Sequence, residues 1–69
     1  MEVLLPRKEL LPKIVELMKK EKVTTAPILA RKLGIGKPTA YTLLNYLVYR
    51  GLVEKKPLGK DVVYIYIGK

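Results

Sequence analysis

Sixty-nine residues are enough for one small domain, and at that size a single core supplies only about 3–5 kcal/mol. The chain has neither Cys nor His, which excludes disulfides and thiolate or imidazole metal sites as staples. Fourteen basic residues against six acidic ones give a formal net charge of +8, a balance that favours polyanionic partners.

Oligomerisation is the staple that remains, so a homodimer is expected. Ser is also absent, so the usual nucleophile–base pairs cannot be assembled and no enzyme or cofactor is expected. Gln and Trp are missing, Asn45 is the sole Asn, and Lys, Glu, Ile, Val and Leu fill the chain. Loss of amides with Lys/Glu enrichment is a thermophile composition. No apolar run approaches the ~20 residues of a membrane span. The first residues have neither a basic start nor a long apolar stretch, so no secretory leader is expected. These features predict a cytoplasmic, nucleoid-associated protein with no membrane or metal partner.

In chain order, a lead-in at residues 2–5 ends at Pro6. Pro6 and Pro12 both suit a first helical turn, so helix one begins either near Arg7, losing a bond at Pro12, or near Leu10. Leu10, Ile14, Leu17 and Met18 recur at helical spacing, Leu11 and Val15 broaden the stripe, and the helix ends near Glu21. Val23, Thr24 and Thr25 read as a short strand, with Thr25 able to cap a second helix opened by Ala26 and Pro27. Ile28, Leu29, Ala30 and Leu33 supply its apolar face, and Gly34 stops it. After Ile35, Gly36 and Lys37, Pro38 starts a third helix running to about Arg50. Its buried stripe is Ala40, Leu43, Leu44, Leu47 and Val48, and Gly51 ends it. Residues 52–56 and 61–68 read as strands joined by a hairpin loop at 57–60. In the last strand Val63, Ile65 and Ile67 alternate with Val62, Tyr64 and Tyr66. The isoleucine face is assigned to the core and the tyrosine face to the surface. An exposed apolar strand face marks an interface, so Val62, Tyr64 and Tyr66 are the expected dimer contact, with Leu5, Leu10 and Leu11 of helix one competing.

Residues 26–45 have the spacing of a helix-turn-helix. Ala30 is small where two helices cross, Gly34 marks the exit, Ile35 plugs the turn, and Ala40 and Leu43 anchor the third helix. All six carboxylates lie outside residues 22–53: Glu2, Glu9, Glu16 and Glu21 before, Glu54 and Asp61 after. A phosphate array repels carboxylates and recruits Lys and Arg through counterion release. The position of the missing acids therefore favours nucleic acid over general solubility.

These residues resemble the winged-helix family of transcriptional regulators, in particular archaeal repressors and the MarR-like group. The match runs from Ile28-Leu29-Ala30-Arg31-Lys32-Leu33-Gly34-Ile35-Gly36-Lys37-Pro38-Thr39 through Leu43, Leu44 and Leu47 to Arg50-Gly51-Leu52-Val53-Glu54-Lys55, and covers about residues 10–67. It implies an α+β winged helix-turn-helix occupying residues 1–69 as a single DNA-binding domain. It also implies that helix 37–50 enters the major groove and that wing 53–66 lies along the backbone or minor groove. The expected function is a sequence-specific, double-stranded DNA-binding repressor acting as a homodimer.

Sorted by helical angle, Thr42, Asn45, Tyr46 and Tyr49 lie opposite the apolar stripe, with Thr39 and Tyr41 on the flanks. Early residues of a reading helix reach base edges, which assigns Thr39, Tyr41 and Thr42 to base contact. Asn45 can pair with adenine, and Thr methyl groups can pack on thymine methyls. Lys37 at the helix start suits a phosphate. Arg31 and Lys32 flank the groove helix, and Lys55, Lys56 and Lys60 on the wing are the main electrostatic candidates.

Each assignment has a plainer reading. Thr39 and Thr42 read equally as solvated helix surface. Tyr46 and Tyr49 read equally as packing on helix one or on a second subunit. Arg31 and Lys32 are more often a solvated face, and strand lysines also deter edge-to-edge pairing. Residues 34–37 fail as a phosphate loop, because Arg31 replaces the first glycine and Pro38 the metal-binding hydroxyl. Two other functions compete: a winged-helix protein–protein adaptor, and an RNA or single-stranded DNA binder stacking bases on tyrosines.

Overall fold

The computed structural model describes residues 5–68. A single 3-10 turn at Lys8–Leu10 leads into α1 (Leu11–Glu21), then β1 (Val23–Thr24), α2 (Ala26–Leu33), α3 (Lys37–Tyr49), β2 (Val53–Leu58) and β3 (Asp61–Tyr66). This is the expected α+β order. The lead-in at residues 2–5 lies outside the described residues except for Leu5, which packs against the core. Arg7 donates to Glu9 at 2.8 Å, and that bond holds the Glu9 carboxyl below the usual carboxylate range.

The two proline alternatives resolve in favour of the later start. Pro12 sits in the first turn of α1, where its missing N–H would have no intrahelical partner, so the helix loses nothing. The helix closes at Lys22, whose N–H reaches the Met18 carbonyl at 2.7 Å with φ 70°. α2 begins as the sequence suggests: the Thr25 Oγ1 accepts from the Ile28 N–H at 3.3 Å. It ends at Gly34, whose φ of 67° is a conformation that costs a Cβ-bearing residue about 1–2 kcal/mol. That exit lets the Ile35 N–H bond the Ala30 carbonyl at 3.0 Å and turns Ile35 partly inward.

One core joins all three helices to the sheet: Ile14 and Met18 from α1, Ala26, Leu29 and Ala30 from α2, Ala40, Leu43, Leu44 and Leu47 from α3, and Val53, Tyr64 and Tyr66. Each large side chain among them contributes about 1.5–3 kcal/mol by leaving water. Ile28 was expected on the α2 apolar face but is exposed, because α2 docks through Ala26, Leu29 and Ala30 instead. Val48 is only partly buried.

The sheet is antiparallel in the order β1-β3-β2. Its register corrects two expectations. β2 continues through Pro57 and Leu58, so the loop is the two-residue turn Gly59-Lys60, with Gly59 at φ 62°. The faces of β3 are also the reverse of those assigned. Tyr64 is 0% exposed and Tyr66 9%, whereas Ile67 is 51% exposed. Val62 packs partly against the core on the same side. The dimer contact assigned to Val62, Tyr64 and Tyr66 is thus occupied by the chain's own core. An aromatic ring buries more apolar area than an isoleucine, and its hydroxyl reaches the rim, where it finds a partner.

Pro57 fits the edge strand for a geometric reason. The Tyr66 N–H bonds the Lys22 carbonyl at 2.7 Å, so at Tyr66 the backbone of β3 turns away from β2. The Val53–Tyr66 pair is therefore non-hydrogen-bonded, and the alternation repeats at Pro57–Val62. The Pro57 nitrogen faces the free side of the sheet, where no ladder bond is lost.

Candidate nucleic-acid interface

α3 owes its position to its underside. Ala40, Leu43 and Leu44 are 0% exposed and Leu47 3%, which fixes both the rotation and the depth of the helix. Its first turn has Gly36 as cap, Pro38 near the start and no acidic residue, and Lys37 is exposed there. The Ala40 N–H donates to the Gly36 carbonyl at 3.0 Å, and among the described residues no side chain caps the N–H groups before it.

Along the outer face, Thr42, Asn45 and Tyr49 follow at helical spacing and all are exposed, Tyr49 to 82%. The Thr42 Oγ1 donates back to the Pro38 carbonyl at 2.9 Å. That bond engages the hydroxyl within the helix and leaves the methyl group as the end of the side chain without a hydrogen-bonding role. The Asn45 Oδ1 accepts from the Tyr64 hydroxyl at 3.0 Å, a bond that joins α3 to the wing sheet. Burial, and secondly the nearby Tyr41, push the Tyr64 phenol above its ordinary range, so it stays protonated as a donor. Tyr41 is itself 39% exposed beside this pair, and Thr39 is half-buried.

Tyr46 stands apart from this group. Its hydroxyl accepts from the Arg50 Nη1 at 3.0 Å, the Arg50 guanidinium lies 5.9 Å from its ring centroid, and both side chains line a groove with Leu11, Pro12 and Val15 of α1. The structure therefore gives Tyr46 a helix-one neighbourhood, which is its plainer reading. Lys32 likewise faces α1, paired with Glu21, while Arg31 is exposed.

The wing lysines separate by register. Lys55 pairs with Tyr64 across the hairpin and so shares the face that turns toward α3. Lys56 pairs with Val63 on the opposite face, and its Nζ lies 3.6 Å from the Glu54 carboxylate. Lys60 is exposed in the turn. Sequence reasoning missed Tyr64 as a support for α3, and it left Tyr49 even between packing and an outer face, where the side chain is exposed. Register parity carried a signal for the first, since any even-numbered turn puts Glu54 and Lys56 on the isoleucine face. Among the described residues no group of three or more His, Cys, Asp or Glu could hold a metal, and no helix is long and apolar enough to cross a membrane.

A helix-turn-helix backed by a three-stranded sheet with a hairpin wing defines the winged-helix class of DNA-binding domains. Residues 15–68 match the family model described as sugar-specific transcriptional regulator TrmB, and the chain belongs to that family of DNA-binding transcriptional regulators. No curated protein and no solved structure matches it.

Proposed function

We propose that residues 1–69 act as a single winged-helix domain that represses transcription by binding a specific double-stranded DNA site as a homodimer. Helix 37–50 enters the major groove, and wing 53–66 follows the backbone or minor groove. The observation that carries this reading is the exposed, carboxylate-free outer face of α3, set within a segment that has no acid from residue 22 to 53. Thr42 offers a methyl group, Asn45 an amide, and Thr39 and Tyr41 flank them. Lys37, Arg31, Lys55 and Lys60 meet phosphates; Lys32 and Lys56 add charge after exchanging Glu21 and Glu54 for the polyanion, and Tyr46 contributes through Arg50 at the helix end.

Dimerisation uses a surface other than Tyr64 and Tyr66; the α1 side, with Leu5, Leu10 and Leu11, is the remaining sequence candidate. In a two-fold dimer the half-sites lie about one helical turn apart. Sedimentation tests the dimer, and a monomer at all concentrations refutes it. Electrophoretic shifts with genomic duplexes at two salt concentrations test DNA binding. Undetectable or salt-independent binding would sink it. Exposed Tyr41 and Tyr49 favour a second reading, single-strand binding by stacking, and competition between duplex and single strands decides between the two.

A further inference from the structure

We propose that Tyr64 is a positioning residue that makes Asn45 read the groove as a hydrogen-bond donor, so that the contacted position prefers guanine over adenine. The inference rests on the DNA-binding reading above and names what one side chain recognises. Tyr64 is 0% exposed, so its ring cannot follow the helix surface. Its hydroxyl holds the Asn45 Oδ1 at 3.0 Å. The two ends of a planar amide diverge from one carbon, so tying the oxygen toward the sheet leaves Nδ2 on the outer side. Among the described residues Nδ2 has no protein partner in the hydrogen bonds of the fold.

An unrestrained Asn pairs with adenine by accepting from N6 while donating to N7. Here the acceptor end is already engaged with the protein, and the exposed end carries two N–H donors and no acceptor. Guanine presents two acceptors, O6 and N7, to such a group, whereas adenine presents one acceptor beside a donor. The phenol is the cause of the preference. It does not touch the base, and its removal frees the amide to turn.

The chain supplies its own reporter. Asn45 is the only Asn and there is no Gln, so a 15N spectrum of the full chain contains one side-chain amide pair. Tyr64→Phe is expected to shift that pair and increase its mobility while circular dichroism stays native. Selection from randomised duplexes is expected to give the wild type about a tenfold preference for guanine over adenine at one position. Asn45→Ala should lose that preference, and Tyr64→Phe should relax the same position without changing affinity for non-specific duplex. Asn45→Asp lies outside the core and replaces the donor with an acceptor, so it should discard guanine even if the phenylalanine variant fails to fold.

An adenine preference in the wild type, guanine retained by Asn45→Asp, or an unchanged preference in folded Tyr64→Phe each overturns the proposal. An amide pair indifferent to Tyr64→Phe overturns it at the level of the bond. If the wild type binds no duplex, the DNA-binding reading fails and takes this inference with it. The amide spectrum tells that result apart from a bond that never forms.

Discussion

α3 keeps Ala40, Leu43, Leu44 and Leu47 beneath its surface, whereas β2, at six residues, buries only Val53. The outer face of the helix is thus aimed by a packed underside and, at Asn45, by a bond from the sheet. Beyond Val53 the residues of β2 are exposed and paired across the ladder with β3, and its lysines stand in solvent. A packed base suits contacts that depend on position, and a solvated hairpin suits contacts that depend on charge. The two regions should therefore fail differently when altered.

The largest effect is expected from Leu44→Ala, which opens a cavity under α3 at a fully buried site. It should cost about 2–5 kcal/mol, read by denaturant unfolding. A loss under 1 kcal/mol would mean that the helix is not seated by its underside. Next comes triple charge reversal of Lys55, Lys56 and Lys60 to Glu. Stability should stay within about 0.5 kcal/mol. Duplex affinity should fall on all sequences alike, with the log–log salt slope shallower by about 3. Singly, Lys55 should matter more than Lys56, since Lys56 already has Glu54 as a neighbour.

Thr42→Val sharpens the contrast on the helix side. It keeps a methyl and removes the hydroxyl that bonds Pro38, so site preference should persist with the salt slope unchanged. A large loss of specificity would show that the hydroxyl, not the methyl, does the reading. Gly34→Ala should cost about 1–2 kcal/mol from its left-handed backbone alone, because among the described residues nothing beyond its chain neighbours lies within 4 Å of the added Cβ.

The smallest effect is a pH dependence at the junction of the two regions. Burial raises the Tyr64 phenol in the folded chain, so as pH climbs past about 10 the unfolded state loses that proton first. The stability it contributes is complete below the unfolded value and declines as pH rises through the folded one. Thermal melts from pH 8 to 11 should show a steeper decline for the wild type than for Tyr64→Phe. Parallel curves would refute the assignment.

The helices were legible in the sequence because each carries one apolar stripe with its own punctuation: Thr25 and Pro27 opening α2, Gly34 closing it, Pro38 opening α3. The family match, over residues 15–68, spans all of them. The last strand was not legible by alternation, since Val63, Ile65 and Ile67 compete with Val62, Tyr64 and Tyr66 as equally apolar faces. What separates them lies across the hairpin, where the register sets Val53 opposite Tyr66 and the charged Glu54 and Lys56 opposite Ile65 and Val63. Helical angle placed Asn45 and Tyr49 outside but could not show that Tyr46 leans toward α1, which depends on where α1 docks.

The nitrogen of Pro57, turned to the free side of β2, has a consequence for the behaviour of many copies together. The outer rim of the hairpin is a row of backbone groups that another extended chain could extend, and a row missing a donor in its middle is a poor template. Lys55 and Lys56 just before it repel a like-charged neighbour. In a concentrated solution of this cationic chain the wing should therefore resist fibrillar stacking, staying a solitary rim whose open groups are left to water.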